Sequence, residues 1–163
     1  MSNKSILYYT QQQAFTLVEL LVTIAIMAIV STIAVPAYTH YSERIKVEQA
    51  TLDISKIEMR IESFIPTGPN LYPNSLAEVG MDSLLDPWGN PYQYLNHSNP
   101  NINGINGKIR KDHNLHPISS DYDLYSMGKD GNSQSPLTAK ASRDDIVRAN
   151  NGRFIGLASK YSS

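Results

Sequence analysis

A single carboxylate at the start of an apolar run is the residue in this sequence best placed to do chemistry. Glu19 lies inside the run Phe15–Leu21, and no charged residue follows it until Glu43. About 20 apolar residues in a helix span a hydrocarbon core of roughly 30 Å. An ionised acid in the first turn of such a helix costs free energy unless it lies near the interface or has a cationic partner. Glu19 is therefore a candidate functional residue whose natural partner is an amine.

A new chain end supplies that amine if the chain is cut between Ala14 and Phe15. The amino group of Phe15 would then lie one helical turn from Glu19. Two other interpretations of the apolar run stay open. The run could be a secretory signal peptide with a small-residue cleavage site around Ala34–Ala37, or an anchor that spans the membrane once and is never processed.

The run Phe15–Leu21 resembles the prepilin cleavage and methylation motif of type IV pilins and type II secretion pseudopilins. The resemblance implies that residues 1–14 form a leader, that a membrane aspartyl peptidase removes it before Phe15, and that the new N-terminus is methylated. It makes Glu19 the fifth residue of the mature chain and places Pro36 where the family has a helix-bending proline. Ala14 stands where the family usually has glycine.

The composition argues against several classes of function. The 163 residues carry a net charge of −1, so no basic surface points to nucleic acid as a partner. The sequence has no glycine-rich phosphate loop, no HExxH motif and no cysteine nucleophile, which argues against an enzyme. Cysteine is absent although an exported chain could use disulfides. Because type IV pilins usually close a C-terminal loop with a disulfide, the resemblance implies that something else closes this region here.

Hydropathy and helix breakers divide the chain into four segments. The leader, residues 1–14, precedes a transmembrane and assembly helix over 15–38 and an amphipathic helix over 39–65, and residues 66–163 form a globular head. Pro36 removes one helical hydrogen bond and therefore predicts a kink or a melted turn. Pro66 and the cluster 67–70 are expected to end the long helix.

The amphipathic helix has one narrow apolar face. Its apolar residues recur at spacings of three and four, namely Val47, Ala50, Ile54, Ile57, Ile61 and Phe64. Such a face packs on a sheet of the same chain or pairs with another helix as a coiled coil. Both kinds of packing are possible in one long helix, because its first part can pair with other helices while its later part packs on the sheet.

The head is expected to contain a small antiparallel sheet on which the long helix packs, which makes the fold class α+β and pilin-like. A capped short helix is predicted over Asn74–Val79. Strands are predicted at Tyr92–Leu95, Lys108–Lys111 and Tyr122–Met127, with a final edge strand at Phe154–Ala158. Periodicity alone does not say which face of Tyr122–Met127 is buried.

A dense turn follows the short helix, with the sequence Asp86-Pro87-Trp88-Gly89-Asn90-Pro91. The aspartate can accept backbone N–H groups, the prolines fix φ, and the glycine allows positive φ. Taken alone, this pattern is more typical of a rigid connector in which Trp88 fills a gap than of a ligand site.

With Gln93 and Tyr94 attached, this turn resembles the head of the G-type pseudopilins, the major subunits of type II secretion, and Asp123–Gly131 resembles a second segment of that head. The resemblance implies a structural subunit that waits in the bacterial inner membrane, with its N-terminus in the cytoplasm and its head in the periplasm. From there it would polymerise into a periplasmic pseudopilus. The implied partners are copies of itself, the prepilin peptidase, minor pseudopilins, the inner-membrane secretion platform and membrane lipid.

The same resemblance implies a calcium site in the C-terminal loop. Its ligands would be the backbone carbonyl of Met127 and the carboxylates of Asp130 and Asp145. Ca²⁺ takes about six to eight oxygens, and it would close the loop in place of a disulfide and make the melting temperature sensitive to chelators. The alternative is that Asp130 belongs to a simple turn and that Asp144 and Asp145 cap a helix through Arg148.

Two other functions stay open at this point. A type IV pilin, major or minor, of a surface pilus for adhesion, motility or DNA uptake would share the N-terminal motif, but a disulfide loop is expected in its head and cysteine is absent. A membrane-anchored binding module that never polymerises would keep Met1 or be cut near Ala37.

Overall fold

The computed structural model describes residues 14–64, 71–99, 104–113 and 115–162. The leader up to residue 13 and the predicted helix terminators, Pro66 and 67–70, lie outside these residues. The helices are α1 (Leu17–Glu62) and the single turns α2 (Ile105–Lys108) and α3 (Ala158–Tyr161). The strands are β1 (Gln93–Asn96), β2 (Tyr122–Ser126), β3 (Ile146–Ala149) and β4 (Phe154–Leu157), and 3₁₀ turns lie at Leu76–Val79 and Lys140–Ser142. The predicted α+β class is confirmed.

The chain divides into two units, of which the first ends at Tyr41 and the second begins at Ser42. Within the first unit, every described side chain from Ala14 to Tyr41 is exposed. No described residue of this unit covers these apolar side chains. A surface of this kind is left for lipid or for another protein.

The second unit is built around an antiparallel sheet whose strand order follows the sequence, β1-β2-β3-β4. Tyr94 pairs with Leu124, Tyr125 pairs with Val147, and Ile146 pairs with Leu157. Because side chains alternate along a strand, this register sends Leu124 and Ile146 to one face and Tyr125 and Val147 to the other.

Both faces of the sheet are buried. One face packs on the second half of α1, in a cluster of Ala50, Ile54, Ile57, Ile61, Leu76, Met81, Tyr92, Tyr122, Leu124 and Ile146. The other face is covered by later segments of the chain, in a cluster of Ile118, Leu137, Val147, Ala149 and Ala158. The predicted apolar stripe of α1 therefore packs on the sheet of the same chain.

The predicted strand at Lys108–Lys111 is wrong. Lys108 ends the helical turn α2, and the backbone N–H of Arg110 donates to the Asp123 carboxylate at 2.7 Å instead of joining a ladder. Only an isolated bridge forms, between Lys111 and Pro136. Strand β3 was not predicted, because all four of its residues are buried, Arg148 included, and its sequence shows no alternation of apolar and polar side chains.

Candidate functional site

The side chain of Glu19 caps the start of α1. Its Oε2 accepts hydrogen bonds from the backbone N–H and the hydroxyl of Thr16, both at 2.9 Å, and the Glu19 N–H donates to the Thr16 hydroxyl at 3.2 Å. This reciprocal pair is a capping box. Sequence reasoning missed it, although a threonine followed three residues later by a glutamate is its signature. Glu19 therefore starts the helix as well as carrying a charge.

The predicted cleavage point lies next to this cap. Ala14 and Phe15 are both exposed, and the Phe15 side chain is 89% exposed. Among the described residues, α1 is the one helix long and apolar enough to cross a membrane. The position of the cut and the methylation of Phe15 stay predictions.

Helix α1 passes Pro36 without a break. Pro36 cannot donate the hydrogen bond that the Thr32 carbonyl would accept. Hydroxyls bond to the backbone on both sides of this point: Thr32 donates to the Ile29 carbonyl at 2.6 Å, and Thr39 donates to the Pro36 carbonyl at 2.8 Å. Of the two outcomes that the sequence allowed, the melted turn is wrong, because one missing hydrogen bond does not break a helix supported by the turns around it.

The turn Asp86–Pro91 is held together by the buried side chain of Asp86. Its Oδ1 accepts the backbone N–H groups of Trp88 at 3.0 Å and Asn90 at 2.8 Å, and its Oδ2 accepts the Ser126 hydroxyl at 2.5 Å. The Asn90 amide donates to the Gly128 carbonyl at 3.0 Å. The turn is therefore fastened to the end of β2, as expected of a rigid connector.

Trp88 extends this connection to the long helix. Its indole N–H donates to Glu43 Oε2 at 3.1 Å, and the Lys129 amine lies 3.2 Å from Glu43 Oε1. The hydrogen bond from Trp88 holds the pKa of Glu43 below its ordinary value; burial opposes this, and Lys129 supports it. Glu43, the first acid after the apolar run, thus joins α1 to the turn and to the segment after β2.

The two carboxylates predicted to bind calcium are already engaged with other groups. Asp145 is completely buried, and its Oδ2 accepts hydrogen bonds from the Arg110 guanidinium and, at 2.6 Å, from the Ser133 hydroxyl. Asp130 is exposed, and its Oδ1 accepts the Asn132 N–H at 2.8 Å in an Asx turn. Among the residues described, no three histidine, aspartate or glutamate side chains gather where they could hold a metal ion. The donor set as placed does not fit Ca²⁺.

Two residues outside the predicted set of calcium ligands hold the C-terminal loop. Asp144 Oδ2 accepts the backbone N–H groups of Lys129 at 3.0 Å and Asp130 at 3.1 Å. Arg110, only 2% exposed, pairs with Asp145 from a connection 35 positions earlier. Nothing in the local sequence around Arg110 marks this partner, because the pairing depends on the path of the chain.

The comparisons with known proteins agree with this architecture. Residues 9–35 match the family model described as the prokaryotic N-terminal methylation motif. The type II secretion system core protein G of Pseudomonas aeruginosa is 31% identical over 142 residues, which cover 74% of this chain and 86% of that protein. The protein of the same name from Aeromonas hydrophila is 29% identical over 144 residues, 74% of this chain and 85% of that protein.

Similarity to pilins is shorter. A fimbrial protein of Pseudomonas aeruginosa is 37% identical over 60 residues, which cover 37% of this chain and 39% of that protein. The comparison with solved structures gave no match.

The chain belongs to the family of type II secretion system core protein G, the pilin-like major pseudopilins. Proteins of this family are membrane-anchored subunits that self-assemble and are processed at the N-terminal methylation motif.

Proposed function

We propose that this chain is a structural, non-enzymatic subunit that polymerises into the periplasmic pseudopilus of a type II secretion system. The share of this chain that each relative matches supports this function over a surface pilus. The secretion proteins match most of the chain, whereas the fimbrial protein matches about a third of it. Before assembly the subunit sits in the inner membrane, with its N-terminus in the cytoplasm and its head in the periplasm. Minor pseudopilins and the inner-membrane platform then build it into the filament.

The observation that carries the assembly step is the position of Glu19 at the first turn of an apolar helix whose side chains are exposed throughout the described part of its unit. Prepilin peptidase cuts between Ala14 and Phe15, and the methylated amine of Phe15 becomes a cation. As a subunit leaves the lipid headgroups, its Glu19 pairs with that amine on a neighbouring subunit. A buried charge without a partner is costly, whereas a paired one sets the register between subunits.

Glu19→Gln tests the charge separately from the cap, because glutamine also serves in a capping box. We expect normal leader removal, seen by mass spectrometry of the N-terminus, and few filaments by electron microscopy of cells that overproduce the protein. Thr16→Ala is the matched control. It removes the capping hydroxyl, keeps the carboxylate, and should lower filament yield much less.

Wild-type filament levels with Glu19→Gln would overturn the charge-pairing step. An equal loss in both variants would show that the cap, not the charge, is what assembly needs. An intact leader on the protein from cells with active peptidase would overturn the processing step.

The outer face of α1 beyond Ser42 supports helix contacts between subunits. Ile45, Leu52 and Met59 are exposed at intervals of seven residues, on the side opposite the buried Ile54 and Ile57. A seven-residue repeat of apolar side chains is what one helix presents to another. We assign this face, the outer stripe, to the helix of a second copy in the filament.

A further inference from the structure

Asp145 needs a cation, because its side chain is completely buried. The residue lies immediately before the first residue of β3. An isolated buried carboxylate is so costly that it takes up a proton or finds a partner. Whatever neutralises Asp145 therefore also decides whether the loop before β3 can close.

Arg110 meets that need with the two terminal nitrogens of its guanidinium. Nη2 donates to Asp145, and Nη1 donates to the Ser133 hydroxyl and, at 2.8 Å, to the Gln134 carbonyl. The guanidinium carbon lies 4.2 Å from the centre of the Tyr125 ring, which covers one face of the group. One side chain thus joins β2, the middle of the loop and the start of β3.

The backbone around Arg110 repeats this connection. The Lys111 N–H donates to the Ser135 carbonyl at 3.1 Å, and the Leu137 N–H donates to the Lys111 carbonyl at 2.9 Å. The Ser135 hydroxyl donates to the Ile109 carbonyl at 2.6 Å. The segment 109–111 is therefore hydrogen-bonded along the loop. These backbone contacts fix the position of Arg110, so that its guanidinium stays next to Asp145.

No three acidic side chains of the loop gather at one point among the described residues. Asp145 Oδ1 is buried without a hydrogen-bond partner among the described residues, while Asp144 caps the segment after β2 and Asp130 closes its own turn. A calcium ion wants about six to eight oxygens. The guanidinium bound to the other oxygen of the Asp145 carboxylate repels a second cation, so this carboxylate as placed is a poor calcium ligand.

We propose that Arg110 takes the place of a structural metal ion: its guanidinium, and not Ca²⁺, neutralises Asp145 and keeps the C-terminal loop closed. The head of this protein is then stable without calcium, in contrast to what the resemblance to G-type pseudopilins implies for the same loop.

The test is the melting temperature of the full chain in mild detergent, measured with calcium chloride and with EDTA. We expect the same melting temperature in both, and no heat of calcium binding by titration calorimetry. Arg110→Gln should lower the melting temperature, and Arg110→Gln combined with Asp145→Asn should recover part of the loss, because the unpaired charge is gone. Arg44→Gln is the matched control; its partner Glu48 is exposed, so the melting temperature should hardly change.

A clear fall in the wild-type melting temperature with EDTA, abolished by Asp130→Ala, would overturn the proposal and restore calcium as the clip. An Arg110→Gln variant as stable as wild type would also overturn it. If Arg110→Gln does not fold, the calcium and EDTA measurements on the wild type still decide.

Discussion

The Nε–H group of Arg148 donates a 2.6 Å hydrogen bond to Glu58, and this contact joins strand β3 to helix α1. The same guanidinium binds both carboxylate oxygens of Asp121, at 2.9 and 2.8 Å, and lies 4.1 Å over the ring of Tyr122. Burial opposes the charge of Arg148, but the hydrogen bonds to Asp121 and Glu58 raise its pKa above the ordinary value. A paired cation thus lies inside the contact between helix and sheet.

Replacing Arg148 should therefore loosen the helix from the sheet. Arg148→Met leaves Glu58 and Asp121 largely buried without their cation, and breaking such a pair costs about 3–5 kcal/mol. Urea unfolding of the full chain in detergent measures the loss. Arg44→Met, the same change at an exposed pair, should cost less than about 1 kcal/mol. Equal losses in the two variants would contradict the role of the buried contact.

The carboxylate of Asp86 is expected to be the main support of the turn Asp86–Pro91. Asp86→Ala removes the acceptor of three hydrogen bonds and leaves the buried Ser126 hydroxyl without it. Each buried polar group left without a hydrogen-bond partner costs about 1–3 kcal/mol. The free energy of unfolding, measured by chemical denaturation, should therefore fall by that much or more. Asp82→Ala, at an exposed aspartate four positions earlier, is the control and should be nearly neutral. A neutral Asp86→Ala would mean that the prolines alone hold the turn.

Gly128 is predicted not to tolerate a side chain. Its φ is +64°, and a Cβ there would lie 2.3 Å from the Asp144 carbonyl oxygen. Gly128→Ala should cost about 1–3 kcal/mol from backbone strain, with the clash in addition. Gly104→Ala separates the two effects, since its φ is +69° and no described atom lies within 4 Å of a Cβ placed there. If thermal unfolding shows the same loss of stability for Gly128→Ala and Gly104→Ala, the close contact with Asp144 does not contribute to the cost.

The acid dependence of stability should include a contribution from Glu43. Its pKa is lower in the folded state than in the unfolded chain, so ionised Glu43 stabilises the fold above its unfolded pKa, and this is lost as the pH falls through the folded pKa. Trp88→Phe removes the hydrogen bond that contributes most. We expect it to raise the pKa of Glu43 toward the ordinary value, followed by carbon NMR of the carboxyl group. Lys129→Gln should raise it less, and the reverse order would contradict this assignment.

The outer stripe should matter for filaments and not for folding. Leu52 is 64% exposed, so Leu52→Lys should leave the melting temperature of the subunit unchanged and reduce the number of filaments seen by electron microscopy. Leu71→Lys is the matched control, because Leu71 is 68% exposed and lies outside the helix. Normal filament numbers with Leu52→Lys, or an equal loss with Leu71→Lys, would remove the stripe from the assembly contacts.

Local features were open to prediction from the sequence. The apolar run, the buried stripe of α1, the edge strand at Phe154–Leu157 and the turn at Asp86 each depend on residues within a few positions of one another. The capping box of Thr16 and Glu19 belongs with them, since its two residues lie three positions apart. For such features the preferences of neighbouring residues set the conformation.

The charge partners were decided by the tertiary structure. Arg110 reaches Asp145 across 35 positions, and Arg148 reaches Glu58 across 90. The sequence pattern predicted neither pair. It also predicted a strand at Lys108–Lys111, where the backbone instead donates hydrogen bonds to the Asp123 side chain and to the Ser135 carbonyl. The sequence by itself determined a helix with one charged residue near its start and a head without cysteines. Which cation each buried carboxylate meets depends on where the folded chain brings distant segments together, because a buried charge must be matched in space and not along the sequence.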